Sequence, residues 1–368
     1  MGAYILKRIL LMIPTLLGIM LMTFAVIQFV PGGPVEQVIA KMQGNDTDST
    51  GRISGNTGNE AGGNQQAMPG GDSVNVKYRG AQGLDPEFIK SLEKQFGFDK
   101  PAPERFLMMM KDYFTFNFGQ SYFRDRSVLS LIGEKLPVSI SLGLWLTLIQ
   151  YLVSIPLGIR KAVKDGSTFD VWTSGVIIIG YAIPSFIFAI MLIVVFAGGS
   201  YFSWFPLRGL TSDNFEQMSF FGKAVDYAWH LALPLFAMAI GSFATMTMLT
   251  KNSFLDEIRK QYVMTARAKG LSEARVLYGH VFRNAMLIPI SGFPGLFISV
   301  FFGGSLIIET IFSLDGLGQL GYRSAVERDY PVVFGTLFAF GLLGLIVGIL
   351  SDLMYVFVDP RIDFERRG

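Results

Sequence analysis

The chain of 368 residues is 51% hydrophobic and 16% charged, with a mean hydropathy of +0.42. Soluble domains carry about 25% charged residues, and 31 basic plus 29 acidic side chains are too few to wet a soluble globule of this size. The net charge is only +2, cysteine is absent and histidine occurs twice; this excludes disulfides, thiol catalysis, iron–sulfur clusters and cysteine-type zinc sites, and argues against a multi-histidine metal site.

Six apolar runs are long enough for a bilayer span, which takes about 20 residues. They cover residues 9–30, 138–159, 171–196, 230–250, 286–308 and 333–357, and Asp352 is the one charged side chain inside them. The expected fold is an all-α polytopic membrane protein with six transmembrane helices. Residues 1–30 are the N-terminus and first span, 31–137 a large region on one side of the membrane, and 138–368 a core of five further spans. The first run follows Lys7 and Arg8. It exceeds the roughly 7–15 residues of a signal-peptide core, so a retained span is expected.

Within 31–137, residues 43–83 are rich in Gly, Asn, Ser and Asp and have little to bury. They read as a tolerated insertion, with a partner-binding loop as the alternative. Residues 84–137 are expected to be helical. Leu84, Phe88, Leu92 and Phe96 recur every fourth residue, Pro86 suits a first helical position and Gly97 a stop. A second helix is expected from Pro103 to about Phe114, followed by Phe116, Phe118, Tyr122 and Phe123. This aromatic cluster suits a membrane interface, with contact to a docked protein as the sharper reading.

The loop 251–285 is the most informative stretch. Phe254, Leu255, Ile258, Tyr262, Val263 and Ala266 form an apolar stripe at helical spacing, with Asp256, Glu257, Arg259 and Lys260 mostly opposite. Gly270 can end that helix in a left-handed conformation, and Ser272 can cap a second one carrying Val276, Leu277, His280 and Val281. Small Ala266, Ala268 and Gly270 allow close approach of another protein. An amphipathic helix beside a membrane meets either the lipid interface or a partner's groove. Lys and Arg set orientation: segments 1–8, 160–170, 251–285 and 358–368 hold 15 basic residues in 65 positions, against four in the 57 positions of 197–229 and 309–332. Both termini and the 251–285 loop are therefore expected in the cytoplasm.

Catalytic and metal-binding motifs are absent: no P-loop, no H-E-x-x-H and no G-x-S-x-G occurs. Gly316, Gly318 and Gly321 spell G-x-G-x-x-G, but they follow a membrane helix rather than a strand, so a tight turn is expected and not a dinucleotide site. Candidates for path or gate residues are Gly303, Gly304, Ser305, Glu309 and Asp352. Ordinary packing explains the small residues equally well. Glu309, ending a span, reads as an interfacial charge. Asp352 is either a functional intramembrane acid or one that reaches water or a cytoplasmic Arg. One acid is little for a proton relay. A path without an engine points to energy from another subunit.

Tyr262, Thr265, Ala266, Arg267, Ala268, Lys269, Gly270 and Leu271, continued by Arg283 and Asn284, resemble the EAA loop of binding-protein-dependent ABC importer permeases of the dipeptide/oligopeptide family. The literal Glu-Ala-Ala is absent, and the family's proline falls at Pro289, one residue late. Lys7 to Gly18, Pro31 to Pro34, Glu309 to Phe312, Gly316 to Gly318 and Arg328 to Val333 resemble further signatures of that branch. Asp359 to Glu365 and Phe312 to Gly318 are most similar to its Yej-type subgroup, the microcin C and oligopeptide importers.

The resemblance implies a type I ABC importer permease fold in a bacterial inner membrane. It implies a second, paralogous permease, cytoplasmic ABC ATPase subunits and an extracytoplasmic peptide-binding protein as partners. The chain itself would hold no cofactor, ATP and Mg belonging to the ATPases, and would bind lipid but no nucleic acid. Residues 262–271 would form the coupling helix. Rival readings are a permease for nickel, glutathione or an oligosaccharide, a self-sufficient channel or ion-coupled carrier, and an intramembrane enzyme.

Overall fold

A computed structural model describes residues 2–29, 33–42, 86–95, 98–199, 201–293, 295 and 306–358. The 43–83 insertion, Leu84 and Phe96 lie outside them, as do Gly303, Gly304 and Ser305. The helices are α1 (Gly2–Phe29), α2 (Pro34–Met42), α3 (Pro86–Gln95), α4 (Ala102–Phe114), α5 (Val128–Val163), α6 (Thr168–Ala182), α7 (Ser185–Phe196), α8 (Phe220–Ile258), α9 (Gln261–Ala268), α10 (Glu273–Val276), α11 (Phe282–Ala285), α12 (Leu287–Ser291), α13 (Leu306–Ile311), α14 (Leu317–Glu327) and α15 (Tyr330–Val358), with a π-helical turn at Leu277–Val281. The chain is an all-α polytopic membrane protein. Among the described residues four helices are long and apolar enough to cross a bilayer: Tyr4–Phe29 of α1, α5, α8, and Tyr330–Leu353 of α15. Within the expected span at 286–308, residues 294 and 296–305 lie outside the described residues, with α12 and α13 on either side.

Two expectations change. The run 171–196 is not one straight helix: α6 and α7 are bent by 91°. Proline cannot donate to the helix ladder and drives the residue before it into extended backbone; Ile183, before Pro184, has φ −84 and ψ 119. At 1.5 Å per residue α7 is about 18 Å long, too short to cross alone. Second, the runs 138–159 and 230–250 are the middles of much longer helices, α5 of 36 residues and α8 of 39. Their extra turns carry charged residues that a hydropathy window trims away, and α8 runs unbroken into the 251–285 loop.

The chain divides into two compact units. One comprises Met1–Leu11, Lys135–Gln319 and Leu342–Gly368. Its first apolar cluster joins Leu142 and Leu146 of α5, Phe188 and Leu192 of α7, Leu231, Leu235 and Met238 of α8, and Ile308 of α13. A second joins Ile159, Ala162, Phe254, Val263, Ala266, Val276, Val281 and Ala285. Between them α5 and α8 meet closely. A Cβ at Gly158 would stand 2.6 Å from Thr250 Cβ and 2.8 Å from the Thr247 carbonyl oxygen, so glycine is required there.

The other unit comprises Met12–Glu134 and Leu320–Gly341. Val35 and Ile39 of α2 pack on Ile89 and Leu92 of α3. The expected aromatic cluster splits. Phe118 is buried with Tyr113 against Phe338 of α15, while Phe114 and Phe116 stay exposed. Buried Asp329 accepts from the Tyr122 amide at 3.0 Å and from the Ser121 hydroxyl, and Arg124 pairs with Glu327 at 2.9 Å. Arg105 stacks over Phe98 and donates to Gln28 at 2.8 Å, beside an open cavity of about 1100 Å³ lined by Phe24, Tyr113, Tyr122 and Tyr330.

Candidate functional site

The 251–285 loop is a helical hairpin. Lys260, in extended backbone, turns the chain from α8 into α9. Gly270, at φ +80, takes the left-handed conformation expected of it and ends the helix. Ser272 stands at the start of α10, but its side chain makes no capping bond. The second helix departs from the expected form: its middle is the π-helical turn. Val276 and Val281 are both buried. Five residues at 100° each would leave them about 140° apart on an α-helix, and the wider π turn brings them onto one face.

Glu257 does not face solvent as expected. Its carboxylate is buried, pairs with Lys260 at 2.5 Å and accepts from the Tyr262 hydroxyl at 2.7 Å, while Asn284 donates to that hydroxyl at 3.3 Å. Burial pushes the Tyr262 phenol up to about 12, with the Asn284 bond opposing and Glu257 adding. These bonds clamp α9 to the end of α8 and to α11. Arg267 then closes the hairpin with two bonds to Glu273, at 2.9 and 3.0 Å.

The predicted loop residues separate into two sets. Val263 and Ala266 face inward, and Tyr262 and Leu271 are half-buried. Ala266 is therefore not free to approach another protein: it packs in its own chain's core. Met264, Thr265, Arg267, Ala268, Lys269 and Gly270 form the exposed face. It is polar at its edges and offers Met264, 59% exposed, as an apolar contact.

A charged cluster lies beneath the hairpin. Lys161, at the end of α5, is fully buried; it pairs with Asp170 Oδ1 at 2.9 Å and donates to the Asp170 carbonyl at 2.8 Å, Thr173 at 2.9 Å and Ser174 at 2.7 Å. Lys251 of α8 meets the other carboxylate oxygen of Asp170 at 2.7 Å and Asp165 at 2.9 Å. The Gly166 amide also donates to Asp170, at 3.1 Å. Counted by sequence, these lysines were solvated topology markers. The one local signal was the spacing of Ser167 and Asp170, a helix-start pattern, and Ser167 does cap α6 by accepting from the Asp170 amide at 3.3 Å.

Glu309 also differs from expectation. It is wholly buried in the protein rather than solvent-facing, and accepts from the Gln319 amide in the first turn of α14 at 2.8 Å. Ser139 accepts from the Leu317 amide at 2.9 Å. Both occupy amides that a helix start leaves unbonded, and the carboxylate suits the positive end of the helix. A Cβ at Gly316 would stand 2.5 Å from Glu309 Oε1. Gly316 thus makes room for a carboxylate, while Ser313, at φ +50, takes the strained turn position. Asp352 meets Arg8 at 2.8 Å and accepts from the Tyr4 hydroxyl at 2.9 Å.

Long apolar helices and a glycine-turned hairpin with one exposed face define a polytopic helical membrane protein. Residues 154–364 match the family of binding-protein-dependent transport system inner membrane components, and the chain belongs to that family. It is 67% identical to the peptidoglycan transport system permease protein YejB of Agrobacterium fabrum (strain C58) over the whole of both chains. It is 59% identical, again over the whole of both chains, to the inner membrane ABC transporter permease protein YejB of Escherichia coli O157:H7. The oligopeptide transport system permease protein AppB of Bacillus subtilis (strain 168) is 32% identical over 99% of this chain and 100% of its own. The chain is a multi-pass inner-membrane permease subunit of a peptide-type ABC importer, and its kinship with the Yej-type subgroup is as its sequence signatures indicate.

Proposed function

We propose that the chain forms half of the translocation path of an ATP-driven peptide importer. A second, paralogous permease completes the path, and an extracytoplasmic peptide-binding protein delivers substrate. ABC ATPases dock on the exposed face of α9, with Thr265, Ala268 and Lys269 at its centre. Both termini lie in the cytoplasm. The observation that carries this reading is the hairpin, where the residues resembling an EAA loop divide into a buried face that anchors the helix and an exposed face open to a partner. The chain contributes force transmission rather than catalysis: ATP closes the ATPases, and the docked helix biases the spans toward one of two conformations.

The substrate class follows the relatives' names and, for microcin C, the resemblance of the sequence to the Yej-type subgroup. Oligopeptides, peptide fragments of peptidoglycan, and peptide antibiotics such as microcin C are the compounds to test. The experiment reconstitutes the chain in liposomes with its partner permease, ATPase and binding protein. ATP-dependent uptake of labelled oligopeptides is expected, with none when any partner is omitted. Uptake by this chain alone would establish a channel. Preference for nickel, glutathione or an oligosaccharide over every peptide would overturn the substrate assignment.

A further inference from the structure

We propose that the buried cluster of Lys161, Asp170 and Lys251 is the mechanical joint that carries displacement of α9 into the membrane helices. Its members are positioning residues for coupling. The inference rests on the docking of ATPases at α9 proposed above.

Each bond of the cluster joins different elements. Lys161 links α5 to the first turns of α6 through Asp170, Thr173 and Ser174. Lys251 links α8 to the same Asp170 and to Asp165 in the turn before α6. Asp170 thus holds a lysine from a different helix on each carboxylate oxygen. Lys251 lies seven residues before the end of α8, and at that end Glu257 grips Tyr262 of α9. A continuous line of bonded groups therefore runs from α9 through Glu257, α8 and Lys251 to Asp170, then to α6 and Lys161 of α5. At the same level Gly158, having no Cβ, lets α5 approach Thr247 and Thr250 of α8 closely.

Stability alone does not call for this arrangement. Well-packed apolar residues in place of a buried ion cluster are often equally stable, whereas removing one partner strands a buried charge. A cluster that is costly to disturb in part, and that joins three helices at the base of the docking hairpin, makes those helices move as one body with α9.

The test uses the complete importer in liposomes. The chain has no cysteine, so exposed Lys164 and Gln261 can be replaced by cysteine as a clean spin-label pair. In the otherwise unaltered complex, the distance between them should stay the same in the nucleotide-free and ATP-trapped states. A change of about 5 Å, one helical turn, would overturn the joint. Asp170→Asn should make that distance vary between states and lower peptide uptake per ATP hydrolysed about tenfold. An unchanged ratio in the assembled Asp170→Asn complex would also overturn it. If this variant fails to assemble, the distance in the unaltered complex decides. Ala268→Trp separates the two ideas. If it leaves uptake intact, docking at α9 is wrong; if it abolishes uptake while Asp170→Asn keeps the ratio, only the joint is wrong.

Discussion

Ala266 and Ala268 are two residues apart and face opposite ways, which decides how each responds to substitution. Ala268→Trp adds bulk to an exposed position and should leave the melting temperature within about 1 °C while removing ATP-dependent uptake. Ala266→Trp overpacks the cluster around Val263 and should cost about 1–3 kcal/mol or more, seen as a lower melting temperature in detergent. Gly270→Trp forces an L side chain to φ +80 and should lose roughly 1–2 kcal/mol before any docking effect is read. Gly316→Ala presents the same distinction on another surface. Its methyl group would collide with the Glu309 carboxylate, and a loss of about 1–3 kcal/mol is expected. In an Glu309→Ala background most of that added loss should vanish, because the two residues share one space. Such facts are invisible to hydropathy. A carboxylate at the end of an apolar run looks the same in sequence whether it meets water or a buried helix start ten residues later.

Among elements, the hairpin was legible and its inner construction was not. Apolar spacing and one glycine define two helices and a turn. The π-helical turn depends on where Val276 and Val281 must point, and that is set by the neighbours they pack against. A π turn is in effect one residue added to an α-helix. Deleting Gly279 should therefore rotate Val281 off the core and destabilise the hairpin. Gly279→Ala, with only Arg275 Cγ near its Cβ at 3.9 Å, should be neutral or stabilising by up to about 1 kcal/mol. Phe254→Ala, at a fully buried site between the two arms, should cost about 3–5 kcal/mol. Thermal unfolding of the purified subunit ranks all three. The ion cluster is invisible to periodicity for a related reason. Lys251 and Asp170 are 81 positions apart, and each stands just beyond an apolar run. Periodicity describes a helix's own faces and says nothing of a charge arriving from another helix. The bend between α6 and α7 is different, since Pro184 stood in plain view and was outweighed by the length of the apolar run.

For the whole molecule, the distribution of charge constrains the energy source. Six apolar runs contain one acid, Asp352, and it is paired with Arg8. Uptake by the reconstituted importer should therefore persist when a protonophore collapses the proton gradient, provided ATP is supplied; inhibition would point to an ion-coupled carrier. The pairing of Asp352 with Tyr4 and Arg8 also bears on how the protein is made. Tyr4 and Asp352 are 348 positions apart, so the contact cannot form until α15 has been made. The first helix is synthesised long before the acid it pairs with. A chain cut before α15 would therefore carry an N-terminal segment whose Tyr4 and Arg8 never meet Asp352.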